Sequence, residues 1–294
     1  MKKTRLLLML ACSLFVVTAQ AKTYQVGVAL ANFDLNFVSI LRSQMARELA
    51  AQQLQGQFVD AKGDVALQVQ QVDDLINQGV DAIILNPVDT QGVQPMIAAA
   101  QRAAVPLIFV NRKPEVPLSG RLQMEALAKK MNYRGNVAIL MGALSNEETR
   151  ERTRAVETVI AKYKDLKVVE KQTAKWQRNE AVDVVSGWLL NGAALDAIAA
   201  NNDEMAIGAI MALKQAKKRD VLVAGIDGTP DGLQFIKNGD LAVTIFQDAK
   251  AQAIGAVQVT RAMLDHAKTE PYNWVPYATV TRENYPQFAQ MNQK

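Results

Sequence analysis

Three apolar runs in this chain of 294 residues lead into polar side chains able to hold a ligand: Asn111, Asn202 and Asp227. An amide donates and accepts hydrogen bonds and a carboxylate accepts them, so the chemistry these residues offer is reversible binding. Catalysis would need groups that the chain lacks or scatters. The single histidine, His266, lies beside Asp265 and Lys268 on a predicted surface helix, where a solvated side chain is expected rather than a general base. The single cysteine, Cys12, falls in an N-terminal segment expected to be removed, which disfavours a Cys- or His-based nucleophile. Acidic residues are spread along helical stretches without metal-ligand spacing. No Gly-x-Gly-x-x-Gly follows the first predicted strand, Gly225 to Gly232 does not fit that spacing, and no P-loop occurs. No enzyme activity, metal or cofactor is expected. Bland roles stay open for the polar residues: Asn202 suits the cap of a helix starting near Glu204, and Asp227 before Gly228 suits a turn.

The elements that carry these residues alternate. Apolar runs at Gln25–Leu30, Gln57–Asp60, Ala82–Asn86, Leu107–Val110, Asn136–Met141, Lys167–Thr173, Asp196–Ala200, Val221–Gly225 and Ala242–Phe246 are separated by amphipathic stretches. Most runs are continuously apolar, as strands covered on both faces must be, which predicts α/β lobes with parallel sheets. Val65, Val69, Val72 and Ile76 share one helical face, as do Val93, Met96, Ile97 and Ala100. Ser145 and Glu148 have the spacing of a capping box opening a helix that runs to about Tyr163. Asp81-Ala82-Ile83-Ile84-Leu85-Asn86 recurs as Asp196-Ala197-Ile198-Ala199-Ala200-Asn201, and Asn111 and Asp227 follow at spacings of 30 (111 − 81) and 31 (227 − 196). The repeat predicts two similar Rossmann-like lobes. Ligands in such sheets bind beyond the carboxyl ends of the strands, where Asn111, Asn202 and Asp227 fall, and two such edges facing each other form a cleft.

Lys2, Lys3 and Arg5, an apolar run from Leu6 to Val17, and Ala19-Gln20-Ala21 have the order of a cleaved signal peptide over residues 1–21. The run is short for an uncleaved anchor, and Leu10 suits a lipobox at Cys12 poorly. Cleavage removes three basic and no acidic residues, so the formal charge falls from +4 to +1 (4 − 3). That near-neutral balance gives no reason to expect nucleic acid or an anionic membrane as partner. A ligand-responsive transcription regulator would need a DNA-binding helix pair where the signal peptide stands.

The segments Asn201-Asn202-Asp203-Glu204-Met205-Ala206-Ile207-Gly208-Ala209 and Gly225-Ile226-Asp227-Gly228-Thr229-Pro230-Asp231-Gly232 resemble the type I periplasmic sugar-binding proteins of ABC importers, the ribose-binding protein and its relatives. Asn86-Pro87-Val88-Asp89 and Asn111-Arg112 fit the same family, and Phe33-Asp34-Leu35-Asn36-Phe37 is similar to its inositol- and rhizopine-type members. The resemblance covers nearly the whole chain after residue 21. It implies ligand contacts at Asp34, Phe37, Asn111, Arg112, Arg152, Trp176, Asn202, Asp227 and Gln247. These types suit a sugar or cyclitol. Amides, carboxylates and guanidinium forks can satisfy a ring of hydroxyls, while Trp176 and Phe37 offer flat faces to its C–H surface. On its own, Trp176 would suit core packing, and Arg152, within Arg150-Glu151-Arg152-Thr153-Arg154, a solvated helix face.

The resemblance further implies an N-terminal lobe of residues 22–113 with 248–275 and a C-terminal lobe of 114–247 with 276–294. Hinge crossovers are expected near 113–118, 247–249 and 275–278. Expected partners are a small sugar or cyclitol and the membrane subunits of an ABC importer; a sensor presenting ligand to a chemoreceptor or kinase ectodomain is the alternative. A periplasmic monomer is expected. One departure stands out: the linker Lys113-Pro114-Glu115-Val116-Pro117-Leu118-Ser119 is about ten residues shorter than the family leads one to expect, which removes a strand and a possible polar contact.

Overall fold

The computed structural model describes residues 23–112 and 118–293. The segment read as a signal peptide and positions 113–117 of the short linker lie outside the described residues. In the first half, β1 (Gln25–Leu30), α1 (Asn36–Ala51), β2 (Gln55–Asp60), α2 (Val65–Asn77), β3 (Ala82–Leu85), α3 (Gln94–Arg102) and β4 (Leu107–Phe109) alternate. Their strands form a parallel sheet in the order β2-β1-β3-β4. The second half runs α4 (Leu118–Lys130), β5 (Gly135–Met141), α5 (Glu147–Ile160), β6 (Leu166–Thr173), α6 (Arg178–Leu190), β7 (Ala197–Ala200), α7 (Asp203–Gln215), β8 (Leu222–Asp227), α8 (Pro230–Asn238) and β9 (Val243–Phe246). After these, α9 (Ala249–Leu264) packs back onto α1, β3 and β4, and β10 (Ala278–Val280) returns to the second sheet. That sheet has the order β10-β9-β8-β7-β5-β6, parallel except for β10 against β9.

The continuous apolar runs are strands because both faces of each sheet are covered. In the first lobe Leu30 and Ile84 meet Leu41, Met45 and Val257 on one side of the sheet. Ile83 and Leu85 meet Val72, Leu75 and Met96 on the other. The second lobe repeats this with Leu140 and Ile198 against Ala206 and Ile210, and Ile139 and Ala199 against Leu127 and Val156. Each fully buried side chain of this size contributes about 1.5–3 kcal/mol by leaving water.

The repeat has a shared structural cause. Asp81 Oδ2 accepts from Gln25 N at 2.8 Å and Asp196 Oδ2 from Asn136 N at 2.7 Å, tying the start of each central strand to its neighbour. At the other end, Asn86 Oδ1 accepts from Ala31 N at 3.4 Å and Asn201 Oδ1 from Gly142 N at 3.2 Å. The same two roles are filled once per lobe.

Three expectations are corrected. The Ser145–Glu148 capping box does not form: the N-cap of α5 is Asn146, whose side chain makes no capping bond because other partners occupy it. Leu118 and Ser119 belong to α4 rather than to a linker. A tenth strand, β10, lies where only a crossover was expected; it is three residues long and pairs at an edge, too short to show a period in sequence.

Candidate ligand-binding cleft

The carboxyl ends of the two sheets approach each other, and the polar residues there are joined in one chain. Asn111, just past β4, donates from Nδ2 to Gln247 Oε1 at 3.3 Å. Gln247, just past β9, donates from Nε2 to Asp227 Oδ1 at 2.7 Å. Arg152 Nη1 lies 3.7 Å from that same oxygen and donates to Asn201 O at 2.5 Å. The guanidinium carbon sits 5.7 Å from the centre of the Trp176 ring. Asn202 caps α7, accepting from Met205 N at 3.0 Å, while its Nδ2 donates to Trp176 O at 3.3 Å. Its capping role and its place at the strand end therefore coexist. Arg152, Trp176, Asn202, Asp227 and Gln247 are all buried. For Arg152 this excludes the solvated helix face.

Three of the twelve non-glycine residues with positive φ among the described residues lie in this chain of polar groups or beside it. Asn111 (φ 64°), Trp176 (φ 69°) and Asp227 (φ 122°) occupy the left-handed region that non-glycine residues avoid. Such positions cost about 1–3 kcal/mol each and cluster at binding sites, where the surroundings over-determine them. Gly142 belongs to this arrangement, because a Cβ there would lie 2.2 Å from Trp176 Cε2. Only glycine leaves room for the indole.

Beneath the site lies Asp203, fully buried at the start of α7. Its Oδ2 accepts from Thr229 N at 2.8 Å and its Oδ1 from Thr244 Oγ1 at 2.6 Å, fixing the turn after β8 that presents Asp227. Burial pushes the Asp203 carboxyl up to about 8, and the Asp227 charge adds to the rise. Burial also pushes Asp227 up, to about 7, against the opposing pull of the Arg152 charge and the Gln247 hydrogen bond.

The remaining expected contacts are placed differently. Arg112 donates from Nη1 to Pro87 O at 2.6 Å and Val88 O at 3.2 Å, and its Nε lies 3.2 Å from Glu148 Oε2 of the opposite lobe. It holds a loop of its own lobe and reaches across the gap. Asp34 is exposed at the mouth of the cleft, lining with Trp176, Asn36, Arg178 and Glu204 a cavity of about 290 Å³. Phe37 does not line that cavity; it is buried in the apolar cluster of the first lobe. A second cavity, of about 450 Å³, opens at the amino ends of β8 and β9 and holds none of the strand-end residues.

Sequence reasoning missed several residues. Asn146 and Glu148 look like helix-start residues, and Asp203 hides inside a run of polar neighbours. Glu204 accepts from Asn36 Nδ2 at 3.0 Å across the mouth and pairs in fork geometry with Arg178, at 2.9 and 3.0 Å. Only their position at the first turn of helices that follow strands could have drawn attention to them.

Residues 26–268 match the model of the family described as a periplasmic binding protein domain. The chain belongs to the periplasmic binding protein family. A candidate rhizopine-binding protein of Rhizobium meliloti is 38% identical to this periplasmic binding protein over 96% of the chain and 98% of the relative. The xylitol-binding protein of Mycolicibacterium smegmatis is 34% identical over 93% and 82%. An ABC transporter solute-binding protein of Bacillus halodurans, solved with bound myo-inositol, superposes with a TM-score of 0.88 at 38% identity, covering 92% of this chain and 99% of its own. The fold is the two-lobed type I arrangement of that family.

Proposed function

We propose that this protein captures a small polyhydroxylated ligand, a cyclitol such as an inositol, between its lobes and presents it to an ABC importer. The observation that carries this reading is the buried polar chain from Asn111 through Gln247 and Asp227 to Arg152, laid across facing strand ends beside Trp176. The chain offers two dual groups, Asn111 and Gln247, then an acceptor-only and a donor-only group, which together can satisfy a ring of hydroxyls. An indole face beside them suits the C–H surface of a saturated ring. The cyclitol preference draws on the related structure that holds myo-inositol and on the relative named for rhizopine binding, while the relative named for xylitol binding supports a polyol more broadly.

In this reading Asn111, Arg152, Trp176, Asn202, Asp227 and Gln247 surround the ligand, Asp34 stands at the mouth, Arg112 holds the loop beside it, and Phe37 backs the first lobe from its core. Residues 1–21 direct export to the periplasm. The lobes, 22–113 with 248–275 and 114–247 with 276–294, rotate about the crossovers, and ligand shifts the population toward the closed form that the importer engages.

A thermal-shift panel of myo-inositol, xylitol, ribose, galactose and an uncharged apolar control tests this, because a ligand selective for the folded state raises the melting point by mass action. A selective rise with a cyclitol or polyol is expected. No rise with any polyhydroxylated compound at millimolar concentration would refute it.

A further inference from the structure

The groups that cross between the lobes are not equivalent, and one of them also touches the aromatic wall of the cleft. Residues 146–148, at the start of α5, make three successive contacts with the first lobe. Asn146 Nδ2 donates to Val88 O at 2.5 Å, Thr90 Oγ1 donates to Glu147 Oε2 at 2.5 Å, and Glu148 pairs with Arg112. Only Asn146 faces both ways. Its Oδ1 accepts from Trp176 Nε1 at 2.7 Å, and the residue is just 4% exposed.

We infer that Asn146 couples lobe closure to the orientation of the Trp176 indole, which makes it a positioning residue for ligand retention. This rests on the capture reading above. An amide has one donor end and one acceptor end. Reversed, it would set its NH₂ against the indole N–H and its oxygen against the Val88 carbonyl, two like-with-like contacts in a buried site. The Val88 carbonyl therefore selects the orientation in which Oδ1 faces the indole, and it can do so only when the lobes are together. Its position is fixed, since Val88 N donates to Gln68 Oε1 at 2.8 Å and Arg112 shares the carbonyl. The indole responds to this one bond because its other surroundings supply packing rather than an acceptor for Nε1: Gly142 lies under one edge and the Arg152 guanidinium near its face. The missing side-chain cap on α5 has the same explanation, because the Asn146 side chain is committed to the cleft.

Substitutions separate the two ends of the amide. Asn146→Asp keeps an acceptor for the indole in either orientation and removes the donor to Val88. Asn146→Ala removes both, and Thr90→Val removes a different crossing bond without touching Trp176. The readouts are the indole N–H resonance of Trp176, with its solvent exchange, and the dissociation rate of myo-inositol.

In the parent, Thr90→Val should speed exchange of the Trp176 indole proton; in the Asn146→Asp background it should leave exchange unchanged. Asn146→Ala should shift the indole resonance and speed myo-inositol release by about ten-fold, the effect of one buried hydrogen bond. Asn146→Asp should also speed release while keeping the resonance near its parent position. The inference is overturned if Asn146→Asp moves the resonance as far as Asn146→Ala, or if Thr90→Val leaves indole exchange unchanged in the parent. The exchange comparison needs no ligand, because the free protein samples the closed form that ligand favours further. A parent that ignores myo-inositol, xylitol, ribose and galactose alike but shows the Thr90→Val effect sinks the capture reading and leaves the coupling standing.

Discussion

Replacing Asp227 tests the cleft at its most connected point. Its Oδ1 accepts from Gln247 Nε2 at 2.7 Å and lies 3.7 Å from Arg152 Nη1, with both charged side chains less than a tenth exposed. Asp227→Ala strips a partner from two buried donors, at about 1–3 kcal/mol for each group left unsatisfied. Arg152 keeps Asn201 O at 2.5 Å, which limits its loss. Burial already holds the Asp227 carboxyl up near 7, so deleting it also relieves a desolvation cost and pulls the net down. In affinity for a polyol, about 2–4 kcal/mol should remain, a fall of roughly 30- to 1,000-fold. Asp227→Asn behaves differently: it retains an acceptor for Gln247, and asparagine tolerates the φ of 122° that alanine resists. Its loss should stay near ~1 kcal/mol. Calorimetry with myo-inositol, paired with melting curves of the free proteins, measures both. If Asp227→Ala binds within twofold of the parent, or if Asp227→Asn is as damaging while equally folded, the reasoning from acceptor geometry is wrong.

Three further outcomes are expected. Asp203 is neutral in the folded protein up to about pH 8 but ionised in the unfolded chain above about pH 4, so its contribution to stability is full below pH 4 and declines as pH rises to 8. The stability of the parent relative to Asp203→Asn should therefore fall between pH 5 and 8.5 in thermal melts; a difference independent of pH would show that the carboxyl is not held neutral. Gly142→Ala sets a methyl about 2.2 Å from a rigid indole edge, so it should cost about 1–3 kcal/mol of stability and more than tenfold in affinity, with normal melting and binding contradicting the packing of Trp176. Saturating ligand should reduce the radius of gyration in solution scattering, whereas no compaction with a tight ligand would rule out closure.

The fold was legible because its determinants are local and repetitive. Apolar runs such as Ala82–Leu85 and Ala197–Ala200 are buried along their whole length, so no polar face interrupts the signal. The repeat was visible because Asp81 and Asp196, and Asn86 and Asn201, do the same work in each lobe. β10 escaped because three residues at an antiparallel edge carry no period. In the site, the second-lobe residues Arg152, Trp176, Asn202, Asp227 and Gln247 do meet, a convergence that the resemblance supplied and spacing could not. What sequence left hidden was direction. Arg112 turns toward its own loop and Glu148, Phe37 turns into the core, and Asn146 gives up its helix for the cleft. Side-chain direction at a helix start depends on the opposite lobe, dozens of residues away, and leaves no local trace.

The division of polar groups between the lobes bears on the order of events. Arg152, Asn202 and Asp227 are braced within the second lobe by Asn201, Met205 and Asp203, so that part of the cleft has its geometry fixed by bonds that do not cross the gap, while Trp176 depends on Asn146 as well. The first lobe offers Asn111, and its Nδ2 is shared between Gln247 and Gln252, both near the crossover where β9 hands the chain to α9. A preorganised half costs less to occupy than one that must assemble on binding. Under the capture proposal, ligand would dock first on the second lobe. The first lobe would then stay closed over it, held by the crossing bonds of residues 146–148 and of Glu204 at opposite rims. The bonds within the lobe set which ligand is accepted, and the bonds across the gap set how long it stays. Arg152→Lys should consequently change preference among polyols, and Thr90→Val only the release rate; a Thr90→Val variant with altered preference at unchanged release would refute this division.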